Sequence, residues 1–322
     1  MGILGAVLEI SEYPILPSNQ SPLGALPARF RRQRVLIVGC GDVGQRVARR
    51  LQGRVQVLAL TSSPERVPSL RGLGVTPLLG NLDQPATLRR LAGLATRVLH
   101  LAPPPTDAKA AWWRDPRTLA LGRVLRQRRL PQALVYGSTS GVYGDCAGAL
   151  VSESRPVQPS TPRAQRRVDA EHVVRHLGRS LRTSILRIPG IYAPDRAGGT
   201  PRERLLRGTP VLQREDDVYT CHIHADDLAR ACLAALWRGQ AQRVYNVCDD
   251  AHLLMGDYFD LAADLYGLPR PPRVARAAAR EQLPVSLLSF MSESRRLLNQ
   301  RLKTELRLRL QHPSVATGLL GG

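Results

Sequence analysis

Lysine, aromatic residues, clustered charge and long apolar runs are all scarce in this chain, and each shortage removes a class of function. Lys109 and Lys303 are the only lysines among 46 basic residues, so nearly all the positive charge is arginine, strung from Arg29 to Arg309. No block of like charge exceeds three residues, and aromatic residues make up 4% of the chain. That is too few for a base-stacking surface. The net charge of +20 therefore reads as an arginine bias of the whole chain, and no nucleic-acid partner is expected. No stretch approaches the ~20 apolar residues of a membrane helix. Residues 1–10 are apolar but contain Glu9 and lack the basic start and small-residue cleavage site of an export signal. The five cysteines (Cys40, Cys146, Cys221, Cys232 and Cys248) form no Cys-x-x-Cys pair. An odd, scattered set suits a reducing compartment, so the expected location is the cytoplasm, with no membrane partner. His172 with His176, and His222 with His224, lack a third ligand at a telling spacing, and no metal is expected.

What is present is an alternation of short β-rich runs with amphipathic helical stretches, beginning at Arg34. The runs are Val35–Val38, Val55–Leu60, Val75–Leu79, Val98–Leu101, Leu134–Tyr136, Ser184–Ile188 and Val244–Val247. Helical patterns lie near 43–52, 85–92, 116–129, 163–178 and 225–237. Apolar runs without strict alternation imply strands covered on both faces, and strand–helix alternation implies a parallel sheet. The expected fold class is α/β: a doubly wound, mostly parallel Rossmann-type sheet with a smaller C-terminal substrate lobe. Residues 1–33, with Pro14, Pro17, Pro22 and Pro27, read as a poorly ordered extension. Residues 34–190 read as the dinucleotide-binding domain and 191–322 as the substrate lobe, with 215–250 returning to the core.

The first chemistry lies at Val38-Gly39-Cys40-Gly41-Asp42-Val43-Gly44. Gly39 permits a tight turn, Gly41 lets a pyrophosphate approach the backbone, and Gly44 lets the following helix pack closely on the strand. The pyrophosphate then meets free N–H groups at the positive end of the helix dipole. Glycine spacing alone is weak evidence; its position at the first strand, between strand and helix, gives it weight. The second strand ends in Thr61-Ser62-Ser63 with Arg66 close behind, and it has no acidic residue before Glu65. An NAD-preferring site usually has an acid there, whereas hydroxyls and an arginine suit a 2′-phosphate. NADP is therefore expected over NAD. In the other reading, Ser63 merely caps a short helix.

Further segments, in order, are Gly80-Asn81-Leu82, Leu99-His100-Leu101-Ala102-Pro103, Tyr136-Gly137-Ser138-Thr139 through Val142-Tyr143-Gly144, Leu186-Arg187-Ile188-Pro189-Gly190-Ile191-Tyr192, His222-Ile223-His224-Ala225-Asp226-Asp227 and Tyr245-Asn246-Val247. With the glycine loop they make the chain resemble the extended short-chain dehydrogenase/reductase superfamily, which includes nucleotide-sugar epimerases and dehydratases. The resemblance implies that Asn81 and Leu82 lie near the adenine, that Leu101, Ala102 and Pro103 line the nicotinamide side, and that Thr139 holds the position of the catalytic Ser or Thr.

The resemblance breaks in the next helix. The superfamily's Tyr-x-x-x-Lys pair, aligned through Glu171, falls on Arg163 and Arg167. Guanidinium stays protonated near neutral pH, so Arg163 cannot stand in for a phenol, although Arg167 can still hold ribose or phosphate. Tyr143 and Tyr192 lie on loops at the carboxyl ends of strands, and Tyr143, on the loop after Thr139, is the better candidate acid, provided a nearby cation lowers its pKa; otherwise it packs or contacts substrate. The pattern, with the tail from Ser292 through His312-Pro313-Ser314, resembles an atypical branch that keeps the cofactor fold and lacks the pair. Two readings remain: an NAD(P)-dependent oxidoreductase or epimerase-like enzyme, which is favoured, and a non-catalytic NADP(H) sensor. The arginines at 196, 202, 204, 207 and 214 face either solvent or a phosphorylated or nucleotide-linked small molecule. The expected assembly is a monomer or homodimer.

Overall fold

The computed structural model describes residues 33–106 and 112–320. Seven strands form one sheet: β1 (Arg34–Val38), β2 (Gln56–Thr61), β3 (Thr76–Leu79), β4 (Arg97–His100), β5 (Ala133–Thr139), β6 (Arg182–Ile188) and β7 (Arg243–Asn246). Every neighbouring pair is parallel, in the order β7-β6-β5-β4-β1-β2-β3. The sheet is parallel because each crossover carries the chain back over one face, and burial on both faces explains the continuous apolar runs. Alternate residues of β1 enter different cores. Val35 and Ile37 pack with α1 (Asp42–Leu51) and α4 (Ala225–Arg238), while Leu36 and Val38 pack with α2 (Pro116–Leu125) and α3 (Pro162–Leu177). Between β1 and β4 the winding reverses, which opens a crevice at the carboxyl ends of the strands.

A third core, built on Leu205, Val211, Met291 and α5 (Met255–Tyr266), forms the smaller lobe. The parallel pairing of Gly190–Tyr192 with His222–His224 carries the chain between sheet and lobe. Leu302, Leu306 and Leu308 also enter the core beneath β1, and Arg301 Nη1 donates to Val244 O at 3.3 Å.

Two helical readings change. Residues Pro85–Leu91 form a 3₁₀ run, a short connector that follows a proline, and α2 stops at Leu125, before the Arg126-Gln127-Arg128-Arg129 stretch. The N-terminal extension lies outside the described residues. Among the described residues, no helix is long and apolar enough to cross a membrane.

Candidate active site

Beyond β1 the chain turns at Gly39, whose φ of +89° lies in the region that side chains rarely adopt. A Cβ there would sit 2.3 Å from Ala102 N, because the turn presses on the end of β4. The Leu101 and Ala102 N–H groups both donate to Val38 O, at 2.7 and 3.0 Å. At Gly44 a Cβ would meet Gly39 O at 3.1 Å and Ile37 Cγ2 at 3.2 Å, so its absence lets α1 lie close on β1. Gly41 is different: nothing lies within 4 Å of where its Cβ would be. It is the N-cap of α1, and the N–H groups of Asp42, Val43 and Gly44 form the positive end of that helix. Burial pushes the Cys40 thiol up to about 11, so it is inert packing.

Around this loop, Arg66 Nη2 donates to Cys40 O at 2.5 Å, which brings a guanidinium against the glycine loop. Ser62 is exposed, and Ser63 donates its N–H to Thr61 Oγ1 at 3.2 Å without using its own side chain as a cap. Asn81 Oδ1 accepts from Asp83 N at 3.0 Å. Arg117 grips Asp83 with two hydrogen bonds, of 2.7 and 2.6 Å, and donates to Pro103 O at 3.1 Å. The loop of Asn81 and Leu82 is thereby tied to the loop of Leu101–Pro103. Asp42 accepts from Arg46 Nε at 3.1 Å and from Arg196 Nη1 at 2.8 Å. Arg46 also reaches Asp226 at 3.1 Å and Asp195 at 2.5 Å. Burial works against the charge on Arg46, but the hydrogen bonds from Asp195 and Asp226 outweigh it and hold the pKa above its ordinary value.

A cavity of about 760 Å³ lies between the end of β5 and the lobe. Thr139, Arg163 and Ile191 line its sheet side, and Arg204, Tyr258 and Phe259 its lobe side. Among the described residues, five arginines (163, 166, 196, 204 and 295) line it against one acid, Glu293. Thr139 stands half-buried in the wall, where its Oγ1 accepts from Gly141 N at 3.3 Å. Burial, then the neighbouring charge of Arg167, lowers the pKa of Arg163.

Behind the wall the groups are closed to a ligand. Tyr143 is 0% exposed, donates to Asn246 Oδ1 at 2.8 Å and lies under Arg187, and burial raises its hydroxyl above the ordinary value. It does not line the cavity, and its proton already has an acceptor. Arg167 is buried, donating through Nη1 to Gly137 O at 2.7 Å and to Tyr136 Oη at 3.1 Å. Glu171 accepts from Ser138 Oγ at 2.7 Å and from Arg187 Nε and Nη2 at 3.1 and 2.7 Å. The structure thus brings Thr139 and Arg163 to one cavity and leaves Tyr143 and Arg167 inside its supporting wall.

The NAD dependent epimerase/dehydratase family matches residues 35–248, the span from β1 through β7. The chain belongs to that family. A conserved protein of unknown function from Silicibacter pomeroyi DSS is 32% identical, with a TM-score of 0.75 over 89% of this chain and 96% of that one. The chain is 26% identical over 309 residues to a 3-diazoavenalumate denitrifying reductase of a Streptomyces species, covering 89% of this chain and 99% of that protein. A 4-hydroxy-2-methyl-3-oxo-4-farnesyl-3,4-dihydroquinoline-1-oxide ketoreductase of Stigmatella aurantiaca is 29% identical over 267 residues, 75% of this chain and 77% of that protein. A UDP-glucose 4-epimerase from Thermotoga maritima, solved with UDP-glucose, shares the fold at 18% identity, with a TM-score of 0.72 over 89% of this chain and 96% of that one.

Several groups in this member of the epimerase/dehydratase family have no local sequence signal. Arg46 and Arg117 are two of many arginines until folding gives them partners. Another is a buried chain in which Thr118 Oγ1 donates to Asp115 at 2.6 Å and meets His100 Nε2 at 2.9 Å. Burial, reinforced by Arg167, lowers the pKa of His100 to about 3, so the ring is neutral. It donates from Nε2 because the threonine proton is already committed to Asp115.

Proposed function

We propose that the chain is an NADP(H)-dependent oxidoreductase that reduces a small anionic molecule without a tyrosine–lysine pair. The observation that carries this reading is the open side of Gly41, at the head of α1 and at the same sheet edge as the 760 Å³ cavity. A backbone that a pyrophosphate can approach, with helix N–H groups behind it, fits a dinucleotide. Family membership supports a nicotinamide cofactor. Arg66 over Cys40 O, with Thr61, Ser62 and Ser63 and no acid at the end of β2, supports the 2′-phosphate of NADP. Gly39 through Gly44 would hold the pyrophosphate, Asn81 and Leu82 the adenine side, and Leu101 through Pro103 with Thr139 the nicotinamide side. Arg167 would stiffen that floor from behind.

When bound, a nicotinamide supplies a hydride equivalent. In this reading the protein orients the acceptor, excludes water and offers Thr139 Oγ1 and the Arg163 guanidinium to an oxygen that gains negative charge. Arg163 acts by charge and hydrogen bonding rather than proton donation. That arrangement suits an acceptor whose product anion is stable enough to leave the site and take its proton from solvent. The two curated relatives are both reductases, which favours reduction over epimerisation. A second reading, a redox-state sensor without turnover, is favoured by one observation: Arg163 and Arg167 occupy the positions of the reactive pair.

The test is a fluorescence titration with NADPH and NADH, followed by NADPH consumption with a panel of carboxylate-bearing aromatic ketones and quinones. NADPH is expected to saturate the protein, and Gly41→Arg should abolish binding while leaving the melting temperature intact. Arg66→Ala should weaken NADPH about tenfold and NADH little. No binding of either nucleotide by folded protein overturns the proposal. Binding without turnover across the panel turns it into the sensor reading.

A further inference from the structure

One arginine of the cavity has guanidinium nitrogens shielded from water with no hydrogen-bond partner among the described residues. Arg204 sits on the short helix Arg202–Leu206 with its guanidinium 4.3 Å from the centre of the Phe259 ring. Arg196 and Arg295, on other walls, are engaged by Asp42 and Glu293. Arg204 has no carboxylate within 4.0 Å among the described residues, and its Nε and Nη2 are shielded from water without a hydrogen-bond partner. A guanidinium keeps its charge, so shielding it without a counterion is unfavourable unless a ligand completes the pair. Burial lowers its pKa, consistent with a cation in want of an anion.

The surface beside it is built of ring faces. The His222 ring stacks on Tyr258, with centroids 4.3 Å apart and planes 29° from parallel. Burial holds the His222 pKa down to about 4, so the stack presents a neutral face. Tyr192 meets His222 edge-on, and its hydroxyl donates to Ser314 O at 3.1 Å. Met255 and Ile191 continue the wall. An aromatic ring asks only for contact area.

We propose that the lobe side of the cavity is a binding site for a planar aromatic acid, its carboxylate on Arg204 and its ring along the His222–Tyr258 stack. This names the substrate class of the proposed reductase and rests on that reading for the reacting end, near Thr139 and Arg163. Charge sets one end of the ligand and shape sets the rest, so an isosteric neutral molecule and a non-aromatic acid should each fail.

The experiment is isothermal titration of the full chain, with and without NADPH, using 2-naphthoate, 2-naphthamide, cyclohexanecarboxylate, inorganic phosphate and UDP-glucose. The expected result is that 2-naphthoate binds at least about tenfold more tightly than the amide or the cyclohexane acid. Arg204→Leu should erase that preference, and Arg204→Lys should keep part of it. Equal binding of the amide, or equally tight binding of phosphate or cyclohexanecarboxylate, overturns the proposal. So does UDP-glucose as the tightest of the five. Should Arg204→Leu fail to fold, the acid–amide comparison on the unaltered protein decides. NADPH binding without naphthoate binding sinks this inference and spares the cofactor reading, while naphthoate binding without NADPH binding does the reverse.

Discussion

Two arginines from neighbouring regions, the buried Arg187 at the end of β6 and the half-buried Arg204 in the lobe, have opposite surroundings. Arg187 is gripped by Glu171 through two hydrogen bonds, of 3.1 and 2.7 Å, and lies over the Tyr143 ring at 4.6 Å. Burial works against its charge, and the bond to Glu171 overcomes that and raises its pKa. Arg204 is desolvated without such a partner, and its pKa falls. The paired arginine holds the sheet to α3, and the unpaired one faces a cavity. A buried ion pair is costly to break because the survivor keeps its charge, whereas removing an unpaired buried charge relieves the fold. Glu171→Ala therefore has the largest expected effect. Leaving Arg187 stranded should cost about 3–5 kcal/mol, read as a shifted midpoint in urea unfolding. A midpoint unchanged within error would mean that the pair contributes little.

The same contrast exists among the carboxylates and can be read from pH. Asp249 is buried, with Oδ1 accepting from Ala251 N at 3.1 Å and Oδ2 unpartnered. Burial pushes its pKa up to about 8, with Asp250 and Asp227 adding to the effect and the Ala251 N–H opposing it. The folded carboxyl keeps its proton where the unfolded one, at 3.8, has lost it. Its contribution is whole below that value and drains away as pH rises towards 8. His100 and His222 run the other way. Burial holds them neutral down to about 3 and about 4, so their contribution is present above 6.5 and is lost on acidification. Above pH 6.5 the falling limb belongs to Asp249 alone among these three. Asp249→Asn, which copies the protonated acid, should flatten stability between pH 6.5 and 8, a gain on the order of 2–4 kcal/mol at the upper end. Parallel pH profiles for variant and parent would refute the assignment.

The paired framework was more legible in sequence than the unpaired site, for a physical reason. Gly39 and Gly44 are demanded by local backbone chemistry, and strands buried on both faces advertise themselves as continuous apolar runs. Their seven-strand order follows once helices alternate with them. The cavity depends on meetings across long separations. Arg204 finds Phe259, and His222 finds Tyr258, only when the lobe closes on itself. Tyr143 reads as an available phenol on a loop at a strand's carboxyl end, yet Asn246, 103 positions on, takes its proton. Asp227 follows the start of α4, where His224 Nδ1 caps the helix by accepting from Asp226 N at 3.2 Å. Asp227 instead receives the N–H groups of Gln311 and His312, fastening the C-terminal segment to α4.

Arg204→Leu sharpens the opening comparison by reversing its sign. Without ligand the variant should be as stable as the parent, or more stable by about 1–2 kcal/mol, since an apolar side chain against Phe259 replaces a cation lacking a counterion. The measurement is the same urea midpoint, taken in buffer free of phosphate and carboxylate, because a bound anion would stabilise the parent alone. Loss of stability on the scale expected for Glu171→Ala would show that Arg204 is a structural cation after all.

The smallest effect belongs to an arginine between these extremes. Arg196 is paired with Asp42 at 2.8 Å, but both side chains remain about a third exposed, at 30% and 31%. Solvent screens such a pair, so Arg196→Ala should change stability by less than about 1 kcal/mol, and by less still at high salt. Its effect on cofactor affinity is the more telling readout. Removing Arg196 leaves Asp42 with Arg46 alone, and so leaves more negative charge at the head of the helix where a pyrophosphate is proposed to bind. NADPH affinity should fall by a few-fold, with the loss shrinking as salt rises. A variant that binds NADPH as the parent does at low salt would place the nucleotide's charge away from Asp42 and argue against the glycine loop as its seat.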